Sequence, residues 1–447
     1  MLSIIGLILG LSLLAFLIMK GYHIIITAIL CSALVALTGE LNLYTAITDT
    51  YMAGFVSFLK AYFPVFLVGT IFGKFMEETG AAAAIAHLIV SKLGAGKAVL
   101  AVTLSCGILA YGGVSVFVVG FTVYPIALML FKEANLPRRF IPGALIFGSI
   151  TFAMTCPGTP QIHNIIPIKY LNTTPMAGTV VGLVVAVFML IVGQIWLEKM
   201  IKTATNAGEH FISRDTDATK SKDEGESYSD GSSAVKSQEA IGLPPGITSL
   251  VPLVSSIIFL NALHFKVEVA VLCGIIMGMI ILYKYIDWNT IPDAFGKASV
   301  SAVTAIANTC AVVGFGSVVK SAPAFKTLVD VIVKIPGSPL VGAAIGVCVV
   351  AGITGSASGG MGIAVPLLSP IYITRGVVPE ALHRILAIAG GGLDSLPHNG
   401  YVVTTLNGIC GETHKDAYAP VFWLTVFLPM VSTILGITLF TLFPNLP

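Results

Sequence analysis

Apolar stretches long enough to cross a bilayer, several of them broken by glycine, proline and serine, constrain this chain more than any other feature. Leu2–Met19, Tyr22–Leu37, Thr179–Trp196, Ile247–Leu263, Val267–Tyr283 and Phe422–Leu442 are the plainest runs. A hydrocarbon core of about 30 Å takes ~20 helical residues to cross. Of the 447 residues, 56% are hydrophobic and only 10% are charged, whereas a soluble domain carries roughly 25% charged residues. The chain has too little polar surface to face water, so an all-α polytopic protein of the cell membrane is expected, with the lipid bilayer as a partner.

The first run has no basic start and no small-residue cleavage site before Lys20. It is therefore expected to stay as a helix rather than leave as a signal peptide. Seven cysteines are scattered through the apolar segments with no CxxC pair, which suggests packing residues rather than a metal knuckle or disulfide framework. No metal or cofactor is implied, and without a basic stripe no nucleic-acid partner is expected.

From 203 to 240 the hydropathy collapses into Ser, Asp, Glu and Lys. That composition cannot bury enough apolar surface to offset ordering, and it reads as a flexible linker. It separates an N-terminal half, 1–202, from a C-terminal half, 241–447. Each half opens with two plain spans and a third rich in small residues (Gly54–Met76 and Ala294–Val319). A Gly-rich segment too polar for one helix follows in each, at about 97–131 and 337–374. Next comes a span broken at "TCPGTPQIHN" (about 141–171) or at "DSLPHNGY" (about 383–405), and then a closing plain span. With an offset of 242 residues, Pro137, Gly148 and Gly158 fall on Pro379, Gly390 and Gly400.

Backbone that leaves the helix at membrane depth is tolerated only where protein or a water-filled cavity covers it. Corresponding broken segments in two halves point to inverted repeats around a midplane site. The expectation is about five spans plus one re-entrant hairpin per half. On that scheme 16 of the 24 Lys and Arg lie on the linker's side, and 12 of 20 do when the linker's own Arg214, Lys220, Lys222 and Lys236 are left out. The positive-inside rule then places the linker in the cytoplasm and both termini outside. Arg384 is counted among the eight cations of the other side.

A small anion at mid-membrane needs hydrogen-bond donors and positive potential, which helix N-termini supply. Glycines let the backbone approach a ligand, and hydroxyls add adjustable donors. Candidate substrate-binding residues are Gly112, Gly113 and Ser115 on the first hairpin tip, with Gly355, Ser356, Ser358 and Gly359 on the second. Thr155, Gly158, Thr159, Gln161 and Asn164 belong to the first break, and Ser395 and Asn399 to the second. Taken singly, each could equally be a close-packing residue between helices. Asp394 and His398 are candidates for proton coupling, because ionisable groups inside spans mark ion pathways. Asp394 could instead cap the helix break, and His398 and His163 could be neutral hydrogen-bonding imidazoles. Glu77, Glu78 and Glu133 read as solvated carboxylates at span ends.

A hydrolase is disfavoured because no G-x-S-x-G elbow surrounds Ser115 or Ser358 and no H-E-x-x-H exists. "GAGKA" (Gly94–Ala98) lacks the glycine spacing and the Ser/Thr of a phosphate-binding loop. A channel stays open as a rival, since broken half-helices also build pores.

The segments "YGGVSVFVVGF", "TCPGTPQIHN", "GSASGGMGIA" and "GGGLDSLPHNG" are similar to those of the gluconate permease (GntP) family, part of the ion transporter superfamily. The resemblance covers essentially the whole chain. It implies an elevator-type carrier, a homodimer, that moves small hydroxylated carboxylates such as gluconate, glycerate or 3-hydroxybutyrate, usually with H+. Carried over, the substrate carboxylate would meet Ser115, Ser356–Gly359 and the breaks near Gly158 and Asn399. These short contacts, and the lack of an arginine in any of the clusters, suit the 3-hydroxybutyrate branch better than a bulky sugar acid. A sodium-coupled carrier is the alternative.

Overall fold

The computed structural model describes residues 2–20, 22–213, 242–325, 327, 338–397, 399–444 and 446. It is helical, with no strand among the described residues. The first half runs α1 (Leu2–Met19), α2 (Ile24–Thr38), α3 (Leu43–Glu78), α4 (Ala81–Leu93), α5 (Ala98–Tyr111), α6 (Val116–Glu133), α7 (141–155), α8 (Ile162–Leu171) and α9 (Thr179–Asn206). The second runs α10 (Gly246–Asn261), α11 (Val267–Ile281), α12 (Ile291–Ser321), α13 (Pro339–Thr354), α14 (Ala357–Thr374), α15 (Pro379–Gly390), α16 (400–409) and α17 (His414–Leu442). Among the described residues six helices are long and apolar enough to cross a membrane, namely α3, α6, α9, α12, α14 and α17.

Local chemistry explains the joints. Gly355 takes φ +60° and closes α13, a left-handed cap that glycine adopts without penalty. One residue later Ser356 Oγ accepts the Gly359 N–H and starts α14. Proline sits at the start of α13 and α15, where its missing N–H costs nothing. Asn399 caps α16 through Val402 N, and Thr413 caps α17 through Asp416 N. Widened i→i+5 turns at Phe147–Thr151 in α7 and Thr404–Ile409 in α16 lie on the two broken spans. Such bulges recur at functional sites.

Three expectations need correction. Helix α4 was not expected; its alanine-rich apolar run buries Ala81, Ala82, Ala84, Ile85 and Ala86, and is too short to signal a span. Helix α9 continues to Asn206, past the apolar end at Trp196, because Leu, Glu, Lys and Met are good helix formers. The linker therefore starts later than 203, and 214–240 lie outside the described residues. Glu77 and Glu78 are not solvated: their side chains are 13% and 12% exposed and pair with Lys74 at 3.3 and 3.1 Å.

Helices in lipid gain little from hydrophobic exclusion and rely on close approach at small residues. Helices α3 and α12 meet this way. A Cβ on Gly54 would collide with Ser317 Oγ, and one on Gly314 would lie 2.9 Å from the Tyr51 ring and carbonyl. A separate core cluster joins Leu7 and Leu14 of α1, Cys31 and Val35 of α2, and Phe315 and Val318 of α12. Another joins Ile146, Ile150 and Met154 of α7 to Val402, Leu406 and Val421 of the second half. Ile4, Ile8 and Leu9 of α1 and Val184, Val187 and Ile191 of α9 stay exposed, an apolar surface suited to lipid.

Candidate functional site

Each hairpin tip rests on the broken span of its own half. The first tip, 112–115, is stitched to the first break, 156–161, by hydrogen bonds. Thr159 Oγ1 donates to Tyr111 O at 3.0 Å, Gln161 Nε2 to Ala110 O at 2.7 Å, and Tyr111 OH to Pro157 O at 3.0 Å. Ala110 O and Tyr111 O lie at the end of α5, where carbonyls run out of helical partners, and the break supplies a donor to each, beside the Gly113 N–H that Ala110 O also accepts at 3.0 Å. Gly113, at φ +98°, has Pro160 so close that a Cβ would fall 2.8 Å from its ring. Gly158, at φ +83°, donates its N–H to Pro175 O at 3.0 Å and accepts from Asn261 Nδ2 at 2.8 Å.

The second tip is seated by packing. A Cβ on Gly352 would come within 2.8 Å of Leu393 Cβ, and one on Gly392 within 2.6 Å of Cys348 Sγ. Thr354 Oγ1 donates to Ser356 O at 3.0 Å, and the Ser356 and Ser358 hydroxyls are 3.1 Å apart. In the second break Ser395 Oγ donates to Asp394 Oδ1 at 2.7 Å, and Asn399 Nδ2 to Asp394 O at 2.9 Å. Asp394 is buried at 6% exposure, and no cation among the described residues pairs with it. His398 lies outside the described residues.

Several candidates are thus engaged by the protein itself. The side chains of Thr159 and Gln161, with both ends of the Asn164 amide, hold the backbone or other side chains, and Thr155 Oγ1 bonds Thr151 O. Gly112 faces α10, where a Cβ would run into Leu253. Ser115 Oγ makes no hydrogen bond among the described residues and, with Ser358, is half-buried.

Arg384 corrects the sequence reading most. On the charge scheme it is one of the eight cations on the side away from the linker, and none of the polar clusters in the sequence contains an arginine. It is fully buried, and Nη1 reaches Thr155 O and Asn164 Oδ1 of the first broken span, both at 2.7 Å. Nε and Nη2 reach Ala177 O at 2.9 and 2.6 Å, and Nη2 also reaches Pro175 O at 3.0 Å. Its neighbour His383, also fully buried, meets Thr173 Oγ1 at 2.7 Å. The sequence did carry a signal: Arg384 stands within the apolar run "ALHRILAIAG", where an ionisable residue marks a site.

Arg138 ties the halves in the other direction. It pairs with Glu412 (Nε–Oε1 3.3 Å), and Nη2 donates to Tyr124 OH at 2.8 Å and Cys410 O at 2.9 Å. Both members are buried, at 7% and 3% exposure. So the residue at the head of each broken span reaches the loop that follows the other half's broken span.

Two cavities flank this region. One of 740 Å³ lies between α9 and the start of α17 and is lined by Arg139, Trp196, Lys199 and Trp423. At its mouth Arg139 grips Glu209 through two bonds of 2.7 and 2.8 Å, which hold the Glu209 carboxyl below its usual range. The other, 340 Å³ and almost wholly apolar, is lined by Tyr111, Gly112 and Cys156 together with Leu253 and Ile257 of α10.

A polytopic helical protein with two tight hairpins seated on two broken helices, around buried polar groups, is a membrane transporter by class. The chain belongs to the GntP family of permeases, whose family model matches residues 2–398. It is 36% identical over 459 residues to the uncharacterized transporter YxjC of Bacillus subtilis (strain 168), covering 95% of this chain and 96% of that one. In fold it is similar to the crystal structure of the Alcanivorax borkumensis YdaH transporter, described as having an unusual topology. There the TM-score is 0.57 at 15% identity, over 89% of each chain. A small-molecule substrate and a multi-pass membrane location follow from the family.

Proposed function

We propose that the protein is a secondary active transporter that imports a small hydroxylated monocarboxylate of the 3-hydroxybutyrate, glycerate or gluconate type by proton symport. The observation that carries this reading is Asp394, a buried carboxylate in the second break with no cation beside it among the described residues. A group so placed can take up and release a proton as the site changes its exposure. Ser115, Ser356, Ser358 and the N–H groups that open α6 and α14 are donors for the substrate carboxylate. The guanidinium of Arg384 has no N–H left to offer, so its presence does not enlarge the set of direct contacts.

In this reading the halves are inverted repeats, and the hairpins with the broken spans move as an elevator against the plain spans. Support comes from the cross-ties of Arg138 and Arg384, which join the broken spans of both halves. The linker faces the cytoplasm, both termini lie outside, and the carrier works as a homodimer.

The test is uptake of labelled 3-hydroxybutyrate, glycerate and gluconate into proteoliposomes. Saturable uptake of at least one, driven by an inward proton gradient, is expected. Uptake that follows a sodium gradient alone would overturn the coupling, and ion-channel currents would overturn the carrier. The variant Asp394→Asn should lose concentrative uptake while still reaching the membrane. Accumulation at the wild-type level by that variant would reduce Asp394 to a capping residue.

A further inference from the structure

Among the buried groups that the transport reading leaves unused, Arg384 stands apart for what does not accompany it. Its five guanidinium N–H donors make five hydrogen bonds to four acceptors: Nε and Nη2 to Ala177 O, Nη1 to Thr155 O and Asn164 Oδ1, and Nη2 also to Pro175 O. All are neutral, and among the described residues no carboxylate pairs with it. Arg138, just before the first broken span, has Glu412. An unpaired buried cation is costly, so evolution's usual remedy of a counter-ion is missing where the first break lies.

The surroundings are shaped to keep it there. Glycines at 178 and 182 leave room for its stem: a Cβ would lie 2.8 Å from Arg384 Cβ at Gly178 and 2.9 Å from Arg384 Cδ and Nε at Gly182. Thr155, whose carbonyl it holds, has its methyl 3.9 Å from where a Cβ on Gly391 would stand, three residues before Asp394. The charge therefore sits against the first break, at the side where that break meets the second.

We propose that Arg384 is the positioning residue that gives the site its preference for an anion, holding the first break in place while its uncompensated charge supplies positive potential without touching the substrate. This rests on the carboxylate-transport reading. A unit charge within about 10 Å, at an effective dielectric of about 20, changes anion affinity by roughly tenfold or more.

Three variants separate charge from scaffolding. Arg384→Lys keeps the charge but loses the five-donor fork. Arg384→Gln removes the charge. Asn164→Asp keeps the acceptor for Nη1 and places a carboxylate on the guanidinium, which neutralises the charge with the arginine still in place; it also gives up the Nδ2 bonds to Cys156 O and Thr159 O, so Asn164→Leu, which gives up the same bonds without adding charge, is its control. The measurement is the half-saturating concentration of 3-hydroxybutyrate, glycerate and gluconate in thermal-shift titrations, with KM and turnover from proteoliposome uptake.

Arg384→Gln and Asn164→Asp should each raise the half-saturating concentration and KM about tenfold or more, with Arg384→Lys staying within about threefold of wild type. If both Arg384 variants weaken binding alike and Asn164→Asp binds as wild type does, Arg384 is a strut and the proposal is overturned. Should the Arg384 variants fail to fold, Asn164→Asp against Asn164→Leu decides: equal half-saturating concentrations overturn the proposal. Wild-type protein that binds none of the three carboxylates would defeat the transport reading itself, a different outcome from wild-type binding that the variants leave unchanged.

Discussion

Glu412→Ala is expected to destabilise the protein by about 3–5 kcal/mol, because it removes the carboxylate that pairs with the buried guanidinium of Arg138. The pair is 7% and 2% exposed in its side chains, with Nε–Oε1 at 3.3 Å. The guanidinium also donates to Tyr124 OH and Cys410 O, and those neutral bonds do not replace a counter-ion. Replacing both members, as in Arg138→Met with Glu412→Leu, should cost much less than either single change, since an apolar pair needs no desolvation. Thermal unfolding in detergent of the two single variants and the double variant measures this. Singles that each cost under about 1 kcal/mol would mean that water already reaches the pair.

The second large effect is expected at Gly360. A Cβ there would lie 2.5 Å from the Ala351 amide nitrogen and 2.8 Å from Ala351 Cβ. Ala351 belongs to the facing arm of the second hairpin, so the obstacle is backbone and no rotamer change can relieve it. Gly360→Ala should spread the arms near the tip, costing about 3 kcal/mol, the upper end of ordinary overpacking. It should also lower substrate uptake at least tenfold by moving Ser356 and Ser358. Gly296→Ala is the control. It sits in α12 with nothing within 4 Å of a Cβ, and should be neutral or stabilise by up to about 1 kcal/mol. Equal behaviour of the two alanine variants would refute the argument from close approach.

How far the site was legible follows from which interactions are local. The Gly-Gly-Val-Ser and Gly-Ser-Ala-Ser tips announce themselves, since glycine after an apolar run ends a helix and a serine starts the next. The "CPGTPQ" break is equally plain, because two prolines and a glycine cannot continue α7. What these clusters do with their side chains was not legible. Thr159, Gln161 and Asn164 looked like free donors for a ligand, yet their partners are carbonyls about fifty residues back, the residues of their own break, or Arg384.

Glu412 drew no notice in sequence, since an acid between Gly411 and Thr413 resembles any loop carboxylate. Helix α4 was missed because an alanine-rich run shorter than a bilayer gives no distinctive hydropathy.

By itself, then, the sequence determined that this is a membrane protein with hairpins and broken spans at corresponding places in two halves. Hydropathy and the backbone preferences of glycine and proline act within a few residues, and they are read from the chain directly. Only the tertiary structure decided which half each buried arginine serves. Arg138 and Arg384 each satisfy carbonyls more than two hundred residues away, a choice set by how the halves pack and invisible to any local pattern.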